Sequence, residues 1–245
     1  MAPRNTQARP GSQPERSNDL LSGMLRSDLV RMTAIMRPVE LIFRQVLYDA
    51  SAIRHVYFPL DCVVSLLVPL KDHLAVEVGL VGSEGMIGIP LALGMPTSLV
   101  RAIVHGPGTA LRMNAAPFRR EFRSNAVLRE GIQRYIHRLM GQLTQTAACN
   151  AFHPIEARFA RSLMMTRDRM QSDELELTHE FIANLLGVRR VGVTLAAGNL
   201  QRQGLIAYSR GRIEILDAAG LSAAACECYG VLKDLHSDTI VIRRQ

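Results

Sequence analysis

Five arginines lie in a stretch of the sequence that contains no acidic residue. The stretch covers residues 187–213, and its arginines are Arg189, Arg190, Arg202, Arg210 and Arg212. Guanidinium groups donate paired hydrogen bonds to phosphates and to the edge of guanine, so this pattern is suited to holding nucleic acid. The whole chain is also basic, with a formal net charge of +7. Charge that served solubility alone would be expected to include acids here, so the stretch predicts a nucleic-acid-binding face.

The residues around these arginines predict two short helices joined by a tight turn. Thr178 can cap the first helix, which carries an apolar face over residues 177–187. Gly187 can adopt the positive φ of the turn, and the second helix is predicted to start near Arg189. In a helix-turn-helix, the N-terminal residues of the second helix reach the base edges. The predicted DNA-binding residues are Thr178, His179, Arg189, Arg190, Val191, Gly192, Thr194, Arg210 and Arg212.

A hairpin is predicted directly after the second helix. Residues 206–209 and 212–216 can pair across Arg210-Gly211 and form a wing. We expect Arg189 and Arg190 to read bases or to position the helix. Phosphate contacts are expected from Thr178, His179, Arg210 and Arg212. The alternative is a helical hairpin without a DNA role, because glycines inside the second helix each cost about 1 kcal/mol relative to alanine.

The cysteines and histidines give no comparable motif. Cys226-Glu227-Cys228 is too isolated to build a tetrahedral metal site alone, and Cys62 and Cys149 stand apart from it. We therefore predict reduced thiols, no metal and no cofactor. A cupin-type enzyme would need clustered ligands, but the histidines are isolated in the sequence, and there is no nucleophile elbow or P-loop. The sequence predicts a protein that is not an enzyme.

The chain divides into segments of different character, and together they predict an α+β protein. Residues 1–18 are polar and predict a disordered tail. Short apolar segments between turn signals predict an antiparallel β-roll over 19–116. The remaining predicted segments are a dimerisation helix at 117–152, a winged helix-turn-helix domain at 153–220 and a C-terminal extension at 221–245. No apolar run approaches the length of a membrane span and no secretory signal is present, so we expect a cytoplasmic protein without a membrane partner.

The long helix carries a seam of apolar residues separated by alternating threes and fours. The predicted dimer-interface residues are Leu128, Ile132, Tyr135, Leu139, Leu143 and Asn150. Such a seam is typical of a coiled coil, where a polar residue such as Asn150 can set the register. The alternative is a helix that packs on its own roll. The hypothesis is a homodimer.

The order of these parts, and the residues Ile182-Ala183, Leu186-Gly187, Arg190 and Gly204-Leu205-Ile206, resemble the Crp/Fnr family of bacterial transcription regulators. A weaker resemblance to the family's phosphate-binding cassette lies at Gly85-Met86-Ile87-Gly88. The resemblance implies a cyclic-nucleotide-binding-like β-roll, a long dimer helix and a C-terminal winged helix. It also implies regulation of transcription on double-stranded DNA, with RNA polymerase as an expected partner.

Departures from the family pattern shape the expected function. Where cyclic-nucleotide-responsive members carry a Glu, this chain has Met86, and Pro96 and Thr97 stand in place of their Arg-Ser pair. The possible effector pocket comprises Gly85, Met86, Gly88, Pro96 and Thr97, and we expect it not to respond to cyclic AMP. The alternative is a regulator whose roll binds a cyclic nucleotide or another small effector. No cysteine precedes Cys62, so the iron–sulfur centre of oxygen-sensing members is not expected.

The recognition helix departs from the family as well. Val191 and Leu195 stand where many members have a Glu and a second Arg, and only Arg190 is kept. We therefore expect an operator that differs from the family's best-known one.

Overall fold

The computed structural model of the chain describes residues 17–49, 51–70 and 75–241. The predicted tail lies outside these ranges except for Ser17 and Asn18, and His73, one of the histidines that stand isolated in the sequence, lies outside them as well. The side chain of Asn18 is buried, and its amide donates to the carbonyls of Pro59 (3.0 Å) and Gly85 (2.8 Å). Asn18 is thus part of the folded chain and not of a tail.

The N-terminal domain is an antiparallel roll preceded by two short helices, α1 (Asp19–Ser22) and α2 (Arg26–Thr33). Its strands are β1 (Arg37–Leu41), β2 (Val46–Tyr48), β3 (His55–Pro59), β4 (Val63–Pro69), β5 (Ala75–Val81), β6 (Arg101–Gly106) and β7 (Gly108–Asn114), with α3 (Ile89–Ala92) between β5 and β6. They form two sheets, of order β1-β7-β3 and β2-β6-β4-β5. The predicted antiparallel roll is confirmed.

The C-terminal half is helical with one small sheet. Its elements are α4 (Ala115–Ser124), α5 (Ala126–Phe152), α6 (Ile155–Met170), β8 (Glu174–Glu176), α7 (His179–Leu186), α8 (Arg190–Arg202), β9 (Ile206–Ser209), β10 (Arg212–Ile215), α9 (Ala218–Ala224) and α10 (Cys228–Val241). The three strands pair in the order β8-β10-β9. The predicted fold class, α+β with a long helix between a roll and a winged helix-turn-helix, is confirmed.

Strand β4 is buried on both faces, which explains why it reads as a continuous apolar run. Val64 and Leu66 point into the core of the roll, whereas Val63 and Leu67 pack against the C-terminal domain. Residues on one strand alternate between faces, so a single run serves two cores. The roll and the C-terminal domain therefore share an apolar boundary at β4.

The predicted dimer seam of α5 faces the chain's own roll. Leu128, Ile132 and Tyr135 are buried in the core of the roll, and Leu139 packs against it. Leu143 lies 3.4 Å from the Cβ position of Gly79 on β5. A helix that packs on a sheet needs the same apolar stripe as a coiled coil, so the spacing alone did not distinguish the two.

This finding corrects the predicted interface. Of its six residues, Leu128, Ile132, Tyr135, Leu139 and Leu143 lie against the roll, and Asn150 is half-buried near the end of the helix. An exposed stripe of α5 runs beside the predicted seam and includes Gln133, Met140 and Thr144.

Within the described residues, no single helix is long and apolar enough to cross a membrane. The pair α7 and α8 reaches that composition only when taken together, and it is bent by 109°.

Candidate nucleic-acid interface

Helix α7 is capped at its first turn and buried along one side. The Thr178 hydroxyl accepts a hydrogen bond from the backbone N–H of Phe181 at 3.2 Å, which confirms the predicted cap. Phe181, Ile182, Leu185 and Leu186 are buried. Thr178 thus fixes the start of a helix whose apolar face anchors the motif.

The turn between α7 and α8 has the geometry of a helix-turn-helix. Gly187 has φ +62°, and the two helices are bent by 109°, within the range of about 90–120° typical of the motif. Arg189 has extended backbone at the N-cap, and α8 begins at Arg190. The predicted start near Arg189 is therefore correct to within one residue.

Helix α8 has one buried face and one exposed face. Val193, Ala196, Ala197 and Leu200 are buried in the core shared with α6 and α7. Along the N-terminal half, Arg189, Arg190 and Thr194 are exposed, and so are Val191 (63%) and Leu195 (66%). Within the described residues neither Arg189 nor Arg190 forms an ion pair, so both guanidinium groups are available to an anion.

His179 braces the motif at the centre of its three parts. Its ring stacks on Tyr208 of β9, with centroids 4.0 Å apart, and its Nδ1 lies 3.1 Å from the Thr194 hydroxyl on α8. Burial, with a smaller contribution from the positive charge of Arg190, lowers the pKa of His179. A neutral, stacked imidazole positions α7, α8 and the wing, so this side chain is poorly suited to the phosphate contact that the sequence predicted.

Two other predicted DNA contacts are also engaged within the protein. The Thr194 hydroxyl donates to the carbonyl of Arg190 at 3.1 Å besides its contact with His179. A Cβ added at Gly192 would lie 3.0 Å from Ile155 Cδ1, so this glycine faces α6. The absence of a side chain at Gly192 lets α8 approach α6 closely, and this position faces α6 and not the exposed surface of α8.

The wing is a two-residue hairpin at the edge of the small sheet. Arg210 (φ +48°) and Gly211 (φ +82°) form the turn between β9 and β10, as predicted. Arg210 is exposed. Arg212 is also exposed and lies 3.5 Å from the Glu176 carboxylate. Gly211 lies close to Thr178, because its Cβ position is 3.3 Å from Thr178 Cγ2, so the wing stands beside the start of α7.

Helix α6 holds the motif in place from behind. Its Arg158 donates to the carbonyl of Leu186 at the end of α7. Its Glu156 accepts hydrogen bonds from Asn199 (2.6 Å) and Gln203 (3.1 Å) at the C-terminal end of α8. The exposed N-terminal half of α8 is thereby positioned by contacts at both ends of the helix pair.

Three of the five residues of the predicted effector pocket lie inside the roll. Met86 is buried in the core, and a Cβ on Gly85 would collide with the ring of Tyr135. Gly88 is buried too and caps α3 with φ +102°. The Tyr135 ring, which comes from α5, occupies the space beside Gly85.

The other two pocket residues are exposed. The carbonyl of Pro96 accepts a hydrogen bond from Ile53 at 2.8 Å, and Thr97 forms a bridge with Ala52. Pro96 also lines a surface cleft of about 400 Å³ next to Arg119 and Arg123 of α4. The structure thus divides the predicted pocket between the interior and the surface.

The sequence reading missed a cluster that joins the end of α5 to the start of α10. Cys149, His153, Cys226 and Cys228 place one ligand atom each within 4.8 Å of one another. In the sequence, Cys149 stands apart from Cys226 and Cys228, and these thiols were not expected to meet. The signal was the spacing of four residues between Cys149, in the last turn of α5, and His153, the residue at the C-cap of that helix.

Part of the sequence matches a known domain family. Residues 157–224 match the Crp-like helix-turn-helix domain. The match extends from α6 to the end of α9 and contains both helices of the motif and the wing. No curated protein sequence matches the chain significantly.

Solved structures share the fold over most of the chain. A CRP-family regulator from Thermus thermophilus aligns with a TM-score of 0.65 at 20% identity, over 78% of this chain and 99% of its own. A Crp/Fnr-family regulator from Eubacterium rectale aligns with a TM-score of 0.64 at 16% identity, over 84% and 96%. The c-di-GMP-responsive regulator CLP from Xanthomonas campestris aligns with a TM-score of 0.63 at 16% identity, over 77% and 98%.

The Eubacterium rectale and Thermus thermophilus proteins are transcriptional regulators of the Crp/Fnr and CRP families. The resemblance to the Crp/Fnr family is confirmed: the chain carries a Crp-like helix-turn-helix domain and has the fold of the family's transcriptional regulators.

Proposed function

We propose that this protein regulates transcription by binding specific double-stranded DNA, with α8 in the major groove. The observation that carries the proposal is the division of α8 into a buried face and an exposed N-terminal half. That half presents Arg189 and Arg190 without an ion pair among the described residues. In a helix-turn-helix this end of the second helix meets the base edges.

The exposed side chains of α8 suggest what kind of half-site is read. Arg190 can make a bidentate contact with a guanine. Val191 and Leu195 are 63% and 66% exposed, which leaves apolar surface in water unless a partner covers it. Thymine methyl groups provide such a partner in the major groove. The half-site is therefore expected to combine a guanine with neighbouring thymines.

The wing and the arginines around it would bind the DNA backbone. Arg210 stands at the tip of the hairpin, and Arg212 is largely exposed despite its contact with Glu176. An exposed ion pair contributes about 0–1 kcal/mol, so Arg212 can exchange Glu176 for a phosphate at low cost. Such contacts position the protein without reading sequence.

We propose that the protein binds DNA as a homodimer through the exposed face of α5. Side chains exposed on this face repeat at gaps of four and three, and they are Gln133, His137, Met140, Thr144, Ala147 and Ala151. The small residues at the C-terminal end of this stripe allow close approach, and Met140 is 61% exposed. A second copy packed along the stripe would supply a second recognition helix, and helix-turn-helix dimers bind half-sites about one helical turn of DNA apart.

We propose that the roll does not bind cyclic AMP. Met86 lies in the core and the Tyr135 ring lies against Gly85, so protein side chains occupy the place beside the cassette glycine. Neither Pro96 nor Thr97 offers a guanidinium to a buried phosphate. Calorimetry with cyclic AMP should detect no binding, and a micromolar dissociation constant would contradict the proposal.

RNA polymerase remains an expected partner.

The function is tested with two arginines of the same helix. DNA is first selected from a random pool with the wild-type protein. Arg190→Ala should then weaken binding to the selected site by about 1–3 kcal/mol, which is roughly 5- to 150-fold. Arg202 lies at the far end of α8 and donates to Asn199, so Arg202→Ala is the matched control with a small effect. Equal losses in the two variants, or no loss at Arg190, would refute the proposal.

A further inference from the structure

We propose that Cys149, His153, Cys226 and Cys228 form a binding site for one thiolate-preferring metal ion of the zinc class. The three cysteines are buried and the histidine is half-buried. Three thiolates and one imidazole are a common donor set of structural zinc sites. The described cysteines are all free of disulfides, so the three sulfur atoms are available.

The spacing of the ligand atoms fits a tetrahedron around a single ion. Cys149 Sγ lies 3.4 Å from Cys226 Sγ, and Cys228 Sγ lies 3.5 Å from His153 Nδ1. Metal–sulfur bonds of about 2.3 Å and metal–nitrogen bonds of about 2.0–2.1 Å give tetrahedral edges of about 3.8 Å between sulfurs and about 3.5 Å between sulfur and nitrogen. These two distances lie within a few tenths of an ångström of the tetrahedral edges, and the other ligand pairs lie within 4.8 Å.

The surroundings orient the ligands. His153 Nε2 lies 3.0 Å from the carboxylate of Glu227, which fixes the tautomer that leaves Nδ1 free to bind the ion. The side-chain amide of Gln145 donates to Cys228 Sγ at 3.1 Å. A carboxylate behind a ligating imidazole is the usual outer shell of a zinc-bound histidine.

Two buried arginines on α6 supply charge next to the thiols. Arg158 and Arg161 are buried, and neither has a carboxylate partner among the described residues. Both act electrostatically on Cys149. A buried cation needs a compensating anion. A divalent ion with three thiolates carries a net charge of −1, so the loaded site would supply part of that compensation.

Other uses of these four residues fit less well. A multinuclear iron–sulfur cluster distributes its ligands over several irons, so its ligand atoms stand further apart than those around a single ion. A disulfide between Cys149 and Cys226 would use only two of the four residues and would not account for the position of His153 and Cys228 beside them. The compact arrangement of four donors within 4.8 Å favours a single ion.

The position of the site gives the ion a structural task. His153 lies between the end of α5 and the start of α6, where only two residues connect the long helix to the DNA-binding domain. Cys226 and Cys228 lie where α9 gives way to α10. A bound ion would therefore tie this connection to the C-terminal extension. An effect of the ion on operator binding rests on the proposed DNA-binding function.

The test measures metal content in the full chain. Reduced protein is loaded with Zn²⁺ alone, passed through a desalting column and analysed for zinc, and a parallel sample receives Co²⁺. We expect about one equivalent of zinc per chain and, with cobalt, the absorption of a tetrahedral thiolate complex. Cys226→Ser and His153→Gln should retain less than about a tenth of that zinc. Cys62→Ala, which removes a buried thiol outside the cluster, should retain it fully.

Several outcomes would overturn the site. The site is refuted by the wild type alone if it holds no zinc and gives no tetrahedral cobalt spectrum. The site is also refuted if the wild type and both cluster variants hold equal amounts of zinc. A Cys149–Cys226 disulfide would refute it too, provided that the protein still binds no metal after reduction. Operator binding is measured separately on the same samples, so loss of DNA binding with intact zinc points to the proposed function instead.

Discussion

Two glycines in α8 differ in the space around them, although both lie inside a helix. Glycine in a helix interior costs about 1 kcal/mol relative to alanine. A Cβ at Gly198 would lie 3.7 Å from its nearest neighbour, Arg202 Nη1, which is an ordinary contact. A Cβ at Gly192 would lie 3.0 Å from Ile155 Cδ1, so the side chain on α6 would have to move.

Gly198→Ala is therefore expected to raise the free energy of unfolding by about 0.5–1 kcal/mol, which corresponds to about 1–4 °C in Tm for a chain of this size. Gly192→Ala gains the same helix propensity but crowds Ile155, so its net effect should be a smaller gain or a loss. Thermal unfolding of the DNA-free protein, followed by circular dichroism, measures both. Equal gains at the two sites would refute the close packing of α8 on α6, and a loss at Gly198 would refute the open space there.

Three further predictions concern pH, salt and assembly. Because burial lowers the pKa of His179, the unfolded chain binds a proton that the folded chain rejects, so stability should fall as pH drops below about 6.5; urea unfolding should show a shallower fall in His179→Gln, and an unchanged fall would contradict the assignment. Arg210→Ala should reduce the magnitude of the negative slope of log K for DNA binding against log salt concentration by about 1, and an unchanged slope would exclude a phosphate contact. Met140→Glu should raise the dimer dissociation constant at least about tenfold in sedimentation experiments, because it places a charge in the exposed stripe of α5 that is proposed as the interface; Leu99→Glu, at a residue 91% exposed on the roll, is the control and should not.

The sequence was most informative where a residue type has a narrow structural role. Thr178 as a cap, Gly187 at positive φ and the Arg210-Gly211 hairpin all follow from local backbone chemistry, and the structure places each as predicted. The buried residues of α8 follow from helical periodicity, which one face of a short helix satisfies in a single way.

The predicted seam of α5 shows the limit of periodicity. An apolar stripe says that one face of a helix is covered, but not what covers it. Here the roll covers Leu128, Ile132 and Tyr135, and the exposed stripe of the helix runs beside them through Gln133 and Met140. Only the placement of β5 and the core of the roll decides between the two.

Contacts between segments distant in the sequence were also beyond sequence reasoning. The sequence predicts that His179 is an exposed phosphate contact, but in the structure its ring contacts Tyr208 and Thr194. The pairing of Cys149 with Cys226 needs α10 to fold back along α5, and no local pattern predicts that return. Both cases depend on tertiary packing and not on the type of residue.

The central claim is that α8 of each protomer of a dimer reads the major groove of a two-fold symmetric site. The most direct measurement is a footprint of the full-length protein on DNA selected from a random pool, combined with interference by methylation of guanine N7 in the major groove. We predict two half-sites about one helical turn apart, with binding abolished by methylation of a guanine in each half-site and with that sensitivity lost in Arg190→Ala. A single unpaired site, insensitivity to N7 methylation, or no selected sequence at all would contradict the account.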